Sequence, residues 1–594
     1  MAEIWIWNAL ASRRRSASDT FVENGLGVLK AAVEGRGHRV RLLDWANDRF
    51  YRRLAPAPLV RLSRRLTLRL LDRPSRAGGR LNRWLQEWIA RIQRRRMAVA
   101  LRRLAREVAA RDLRVFGMKV WYGEAFSWAK YLAREIRKRA PQTLLVAGGY
   151  HVTLYEEDFL KNSPFDLAVM SEGETALSRM LDLADDVGAQ GKAALLARIG
   201  AEARAGRLPN LLWRDGPEVK RTEKTAGDIN AKAAPVYGRA EGKTRLHVLL
   251  ESSGCAWGKC RFCVHQHLEP AYVKRRVDRI VDEIRAMRAQ GIGLFRFAGS
   301  DTPPDFGEAI AKGILEAGLR IEYAMGSRAR PDAKDPAVFE DLAGKYALMI
   351  RSGLRAVFMG GETGHDGVNE KVMNKGLTRE DLIWTIRALR EAEKKAGQRV
   401  DIALAMIYPT PLIEGATDAD VMAANLELLR EARPDSVMVT PPGVFKNSEW
   451  FARAKEFGFA LGERFVPEMM EYEYVLYKPP ELWPTLGVRH EGRDFVELLR
   501  LCGTMRAAIE RLGIQTDLSD EHFLMARACG YEGADGVRAF KRETLADIVS
   551  CDYRRLGELC ERTNAYSAAL AQAGAADARA AAPAAVRAPQ WAAA

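Results

Sequence analysis

Short apolar runs alternate with amphipathic stretches along most of the chain. Residues 4–10 read as a strand, 22–34 as a helix with Val28, Leu29, Ala32 and Val33 inward, and 40–43 as a second strand. The pattern resumes with a strand over 113–120, a helix over 125–139, and strands over 143–147 and 166–170. Strands alternating with helices of this length predict a mostly parallel, Rossmann-like sheet covered on both faces. A second series places strands at 247–250, 294–298, 320–324, 356–359, 401–407 and 436–439, the first five each followed by a helical pattern. Six such units in a row predict a full or partial parallel barrel. The expected division is an α/β domain over 1–225, a polar linker over 226–244, and a (β/α) barrel over 245–450. A mostly helical domain over 451–565, expected to cover the barrel mouth, and a disordered Ala-rich tail over 566–594 complete the chain.

Composition adds limits. With 594 residues, 47% hydrophobic and 29% charged, the chain suits several globular domains and not a disordered, collagen-like or disulfide-stapled protein. No apolar stretch of about 18 residues appears, which argues against a membrane-spanning helix. The amino terminus shows no secretory pattern. Seven cysteines, three of them within nine residues, point to reduced thiols and a metal site in a cytoplasmic protein.

The charge of +16 is concentrated. Residues 51–110 hold 17 arginines against Asp72, Glu87 and Glu107, a local balance of +14. Leu59, Leu62, Leu66 and Leu70 fall at helical spacing, with Arg61, Arg64, Arg65 and Arg69 on the other side. Two readings stay open. One is a surface helix pair that binds another acidic partner or anionic lipid headgroups, the latter placing the protein at the inner membrane surface. The other is a solvated hairpin packed on the first domain by its leucines. No nucleic-acid module accompanies the charge, so no nucleic-acid partner is expected.

The strongest local signal is Cys255, Cys260 and Cys263, in a loop directly after a strand. Three thiolates leave a four-coordinate site one ligand short. Zinc would take the fourth from His265 or His267, whereas an iron–sulfur cluster would leave its fourth iron open to a small molecule. Cys502, Cys529, Cys551 and Cys560 match no ligand spacing and read as buried thiols.

Over 245–450 the sequence resembles the radical S-adenosylmethionine (SAM) superfamily. Its cysteine loop follows the first barrel strand with an aromatic residue, here Phe262, before the third cysteine. The spacing is four residues then two, where the family's usual spacing is three then two. Gly254 and Gly258 give the longer loop its freedom. The resemblance continues in Ser327-Arg328 after the third strand, Gly360-Gly361-Glu362 after the fourth, and Met373-Asn374-Lys375-Gly376. It implies a [4Fe-4S] cluster on Cys255, Cys260 and Cys263, with SAM held by Phe262, Arg328, Gly360, Gly361 and Glu362.

Upstream, Gly148-Gly149-Tyr150-His151-Val152-Thr153 and Glu172-Gly173-Glu174 resemble the cobalamin-binding domain fused ahead of many such enzymes. The resemblance implies cobalamin contacts from Gly148, Gly149, His151, Val152, Thr153, Glu172, Gly173 and Glu174. The Asp-x-His-x-x-Gly element that ligates cobalt in other cobalamin proteins is missing from residues 8–20. Together the resemblances imply a cobalamin-dependent radical SAM enzyme that methylates an unactivated carbon through a 5′-deoxyadenosyl radical and methylcobalamin. Rearrangement, cyclisation or oxidation with the same cofactors is the alternative, and a cobalamin-binding scaffold with structural zinc a more distant one. They also imply a small-molecule, lipid or peptide substrate and an external electron donor such as flavodoxin or ferredoxin.

Overall fold

Ile4, Trp5, Ile6 and Trp7 are all buried, as a strand covered on both faces requires. Ile4 and Ile6 pack with Leu26 and Val33 on one side, and Trp5 and Trp7 join Leu101 and Leu104 on the other. The computed structural model describes residues 1–573 apart from Pro74, 238–241, Pro270, Leu476, Tyr477 and Pro479. Residues 574–594 of the expected tail lie outside the described residues.

The first sheet has the order β2-β1-β3-β4-β5-β6-β7. Strands β1 (Glu3–Asn8), β2 (Arg39–Leu43), β3 (Val115–Lys119), β4 (Leu144–Gly148) and β5 (Leu167–Val169) are parallel. An antiparallel hairpin, β6 (Leu211–Asp215) and β7 (Glu218–Arg221), forms one edge. Helix α1 (Asn24–Glu34) follows β1. Between β2 and β3 lie α2 (Asp48–Leu54), α3 (Ala57–Asp72) and α4 (Arg76–Ala110). The long α4 serves as the crossover helix, burying Leu85, Ile89, Met97, Leu101 and Leu104. Helix α3 departs from the leucine-packed reading. Its buried residues are Val60, Ser63 and Thr67, while Leu62 is exposed and Leu66 and Leu70 are half-buried.

In the second sheet, β8 (Leu246–Leu249) leads into the cysteine loop, which is bracketed by the antiparallel pair β9 (Ser252–Ser253) and β10 (Val273–Lys274). Next come β11 (Leu294–Phe297), β12 (Glu322–Gly326), β13 (Leu354–Glu362), β14 (Asp401–Ile407) and β15 (Ser436–Thr440). Gly360-Gly361-Glu362 therefore end the fourth barrel strand rather than follow it, with a register shift between Gly360 and Glu362. Beyond residue 450, β16 (Phe459–Leu461), β17 (Val488–His490) and β18 (Arg493–Asp494) form a small antiparallel sheet. Strand β19 (Gln515–Thr516) then adds to β15, giving a parallel series β8-β11-β12-β13-β14-β15-β19 with β8 and β19 as edges. It is a partial barrel.

The carboxyl-terminal helices seal the floor of this barrel, not its mouth. Arg527 on the helix Asp520–Ala528 reaches Glu322, at the start of β12, at 3.3 Å. The helix Tyr553–Gln572 accepts from Gly293 N through Ser567 Oγ at 3.0 Å. The tail expected from residue 566 is thus helical to Gln572, with Ser567 and Leu570 buried. The first domain lies over the mouth instead. Ser171 Oγ donates to Leu268 O at 3.4 Å, and Lys224 Nζ to His267 O at 2.6 Å. The segment after β15 joins them, since Glu124 N donates to Glu473 Oε2 at 2.8 Å.

Candidate functional site

The loop after β8 is shaped by backbone that only glycine adopts easily. Gly254 has φ of +74°, and a Cβ there would meet Ala271 O at 2.4 Å. Just before it, buried Glu251 accepts from Gly299 N at 2.9 Å and Thr302 Oγ1 at 2.7 Å, tying the loop to the end of β11. Cys255, Cys260 and Cys263 are all half-buried. Burial raises the Cys260 thiol to about 12 and the Cys263 thiol to about 11, with Lys375 pulling both down.

Four separate motifs meet around this loop. Trp257 Nε1 donates to Asn374 O at 2.8 Å, and Gly376 lies so close that a Cβ would stand 2.2 Å from the indole. The Arg328 guanidinium covers the same ring at 4.3 Å and donates to Gly376 O at 3.0 Å. Asp301 accepts from Arg328 N at 3.0 Å. Glu362 accepts from Lys375 Nζ at 2.8 Å, and a Cβ on Gly360 would collide with both groups. Gly361 points the other way, toward Ala405 O and Leu404. Phe262 lies against Trp450, ring centroids 5.7 Å apart. Trp257, Lys375, Asp301, Thr302 and Glu251 escaped sequence reasoning as site residues. Glu251 and Trp257 lie within or beside the cysteine loop and Lys375 within its Met-Asn-Lys-Gly element, whereas Asp301 and Thr302 carried no signal.

Across the interface, a cavity of about 270 Å³ opens at the carboxyl edge of the first sheet. Gly148, Gly149, Glu172, Gly173 and Glu174 line it, as do Lys119, Lys232 and, from the barrel side, Leu250, Ser253 and Glu269. Lys232, in the expected linker, lies 2.7 Å from Glu172 and 3.4 Å from Glu174. Gly149 has φ of +105°, where a Cβ would press on Lys119 and Val120 at 3.2 Å.

His151, Val152 and Thr153 do not line this cavity. His151 is buried with Phe126 and Tyr155, each ring 4.8 Å away, and burial lowers its imidazole to about 3. The Thr153 side chain is engaged by the backbone of the loop after β5, its Oγ1 accepting from Ser171 N at 2.8 Å. The His151 ring packs among Phe126 and Tyr155 instead of lining the cavity, and its Nε2 is buried without a hydrogen-bond partner among the described residues.

A second cavity, about 250 Å³, lies at the ends of β1 and β3. Arg15, Asp19, Tyr51, Trp121, Tyr122 and Tyr474 line it. Arg15 stands over Tyr122 at 4.9 Å and 3.5 Å from Glu473. Trp121 stacks on Tyr150, whose hydroxyl is raised by burial and by the nearby Cys263. Aromatic side chains of the first domain thus adjoin the cysteine loop of the second.

A family model described as the B12 binding domain matches residues 89–181, and one described as the Radical SAM superfamily matches residues 252–424. The chain joins a B12-binding domain to a radical SAM domain. This is the pairing of cobalamin-dependent radical SAM enzymes. The B12 match begins inside α4 and covers β3, β4 and β5. Among solved structures, the radical SAM methyltransferase TsrM from Kitasatospora setae, with cobalamin and a [4Fe-4S] cluster bound, is similar at 16% identity. Its TM-score is 0.58, over 93% of this chain and 100% of that one. The cobalamin-dependent SAM radical enzyme OxsB with aqua-cobalamin bound is similar at 15% identity and TM-score 0.52, over 77% of this chain and 56% of OxsB. The chain thus spans about half of OxsB. These likenesses establish a shared fold. No curated protein sequence matches the chain.

The cofactors of this domain pair are a [4Fe-4S] cluster, SAM and cobalamin, and the residues present fit them. Among the described residues, no three His, Cys, Asp or Glu side chains converge on a single-ion site. A cubane cluster spreads its thiolates around several irons and needs no such convergence. The glycine-walled cavity suits a cobalamin tail lying against backbone at the sheet edge. Cys502, Cys529, Cys551 and Cys560 are all buried apart from this loop, Cys551 near Gln93 and Cys560 near Thr244.

Proposed function

We propose that this cobalamin-dependent radical SAM enzyme is a carbon methyltransferase. The observation carrying the reading is the opposition of the two sites: the glycine-walled sheet edge faces the cysteine loop across one interface, with Leu250, Ser253 and Glu269 of the barrel lining the first domain's cavity. When bound, the cofactors supply a 5′-deoxyadenosyl radical for hydrogen abstraction and a cobalt-borne methyl group for delivery to the resulting carbon radical.

Cys255, Cys260 and Cys263 would hold the cluster through their thiolates, and the cluster would supply the electron that cleaves SAM. Glu362 would accept hydrogen bonds from the SAM amine or ribose, and Gly360 would let the ligand approach the backbone. Lys375 pairs with the Glu362 carboxylate and fixes its position, and Asp301 holds the Arg328 backbone N–H, while the guanidinium lies over Trp257. Tyr150, Trp121 and Tyr474 exclude water between the domains. The substrate, a small molecule, lipid or peptide, enters at this interface. An external one-electron donor such as flavodoxin or ferredoxin completes the requirement.

Anaerobically reconstituted protein supplied with dithionite and SAM tests the reading. Both 5′-deoxyadenosine and S-adenosylhomocysteine are expected. Failure to form even one equivalent of S-adenosylhomocysteine per bound cobalamin would remove the methyl transfer and leave rearrangement, cyclisation or oxidation.

A further inference from the structure

Helices α3 and α4 bury one apolar face on the first domain and carry a second apolar patch outward. In the seam between α3 and α4, Ser63 Oγ donates to Asn82 Oδ1 at 2.9 Å, and Asn82 Nδ2 donates to Thr67 Oγ1 at 2.9 Å. Outside, Leu62 is 52%, Leu81 52%, Trp84 54% and Trp88 45% exposed. The two indoles lie together, ring centroids 5.9 Å apart. A hairpin meant only for water carries the reverse arrangement, with polar residues outside and leucines in the seam. The surrounding charge is nearly all of one sign. Helices α3 and α4 hold 14 arginines and, as acids, only Asp72, Glu87 and Glu107. Asp72 is occupied by Arg542 at 2.7 Å.

Leu81, Trp84, Trp88, Arg91, Arg95 and Val99 follow one another at steps of three and four, so they form a single stripe along α4. The far end of the stripe becomes one wall of a groove of about 640 Å³ between α2 and α4. There Arg49, Arg53, Arg95 and Arg103 surround Phe50. The other side of α2 carries buried Tyr51, which lines the second interdomain cavity. The groove and that cavity are one helix apart.

We propose that this stripe and groove dock the enzyme on an anionic phospholipid bilayer. Leu81, Trp84 and Trp88 enter the boundary between headgroups and acyl chains, where indoles gain an apolar phase for the ring and water for the N–H. The groove arginines hold lipid phosphates, their stems lying along the apolar surface. The exposed leucine and tryptophans favour a bilayer over nucleic acid, which offers the arginines charge but gives Leu81 no apolar phase. The charge selects anionic over zwitterionic lipid.

Sedimentation of the full chain with vesicles of phosphatidylcholine, and of phosphatidylcholine mixed with phosphatidylglycerol, tests the proposal. Binding is expected only to the mixed vesicles, and it should weaken as salt shortens the Debye length from about 10 Å at 0.1 M to about 3 Å at 1 M. Trp84→Ser with Trp88→Ser should weaken binding about tenfold or more. Arg95→Glu with Arg103→Glu should weaken it by about fivefold for each residue or more. All four positions are exposed, and unchanged corrin absorbance and circular dichroism would confirm intact protein. Failure of the native chain to sediment with mixed vesicles at low salt would overturn the proposal. So would binding that neither pair of substitutions weakens, or equal binding to phosphatidylcholine alone. Tight binding to double-stranded DNA that mixed vesicles do not displace would instead assign the surface to nucleic acid.

Discussion

Lys375 Nζ lies 2.8 Å from Glu362 Oε1, joining a turn after the fourth barrel strand to the end of that strand. Burial works against the Lys375 ammonium, yet Glu362 and the Cys260 sulfur outweigh it and hold the group above its ordinary value. Glu362→Gln removes a charge-assisted acceptor, worth about 1.5–3 kcal/mol. SAM affinity should fall about tenfold to a hundredfold while iron content stays the same. Isothermal titration of the reconstituted protein checks both halves, and unchanged SAM affinity would remove Glu362 from the site.

Alanine at Cys255, Cys260 or Cys263 should abolish cluster assembly and 5′-deoxyadenosine production, yet leave cobalamin bound to the first domain. Cys502→Ala and Cys551→Ala should leave iron unchanged and cost about 1–2 kcal/mol of stability from lost packing. Iron and sulfide analysis with denaturant titration separates the two groups. Retained 5′-deoxyadenosine formation in any single loop variant would overturn the ligand assignment.

The cavity wall makes a size prediction. A Cβ on Gly148 would meet only Val169 O, at an unstrained 3.6 Å. Gly148→Val should therefore fold, with its side chain standing where the cofactor tail is expected. Corrin absorbance per chain should drop about tenfold or more, with the cluster absorbance unaffected. Full corrin loading would show that the cofactor lies elsewhere.

Three buried histidines predict the acid response. Burial lowers His151 to about 3 and His490 and His522 to about 4, so each stays neutral in the folded chain near pH 5. Unfolded, each takes up a proton near pH 6.5. The unfolded state thus binds more protons below that pH. Stability should fall by about 1.4 kcal/mol per pH unit for each histidine between pH 6.5 and its folded value. His151→Phe, set among Phe126, Tyr155 and Phe159, should flatten this slope by one histidine's share. Denaturant midpoints measured from pH 7 to pH 5 decide it; an unchanged slope would mean His151 is already protonated in the fold.

By itself the sequence determined the strands, the crossover helices and the cluster loop. Parallel strands buried on both faces must be uninterrupted apolar runs, so β1, β3, β4 and β14 stand out without any partner. Three thiols within nine residues likewise need no tertiary information to be seen as ligands. Tertiary structure decided what depends on distant segments meeting. Alone, Lys232 in a polar stretch is indistinguishable from any solvated lysine, and it becomes a wall of the cavity only because that stretch folds back on Glu172 and Glu174. His151 sat in the right motif, but the side chain turned inward because Phe126, Tyr155 and Phe159 enclose it. Helix α3 shows the limit most plainly. Its leucine spacing predicted an inward apolar face, yet Asn82 of α4 drew Ser63 and Thr67 into the seam, because buried polar groups must find hydrogen-bond partners and leucines need none.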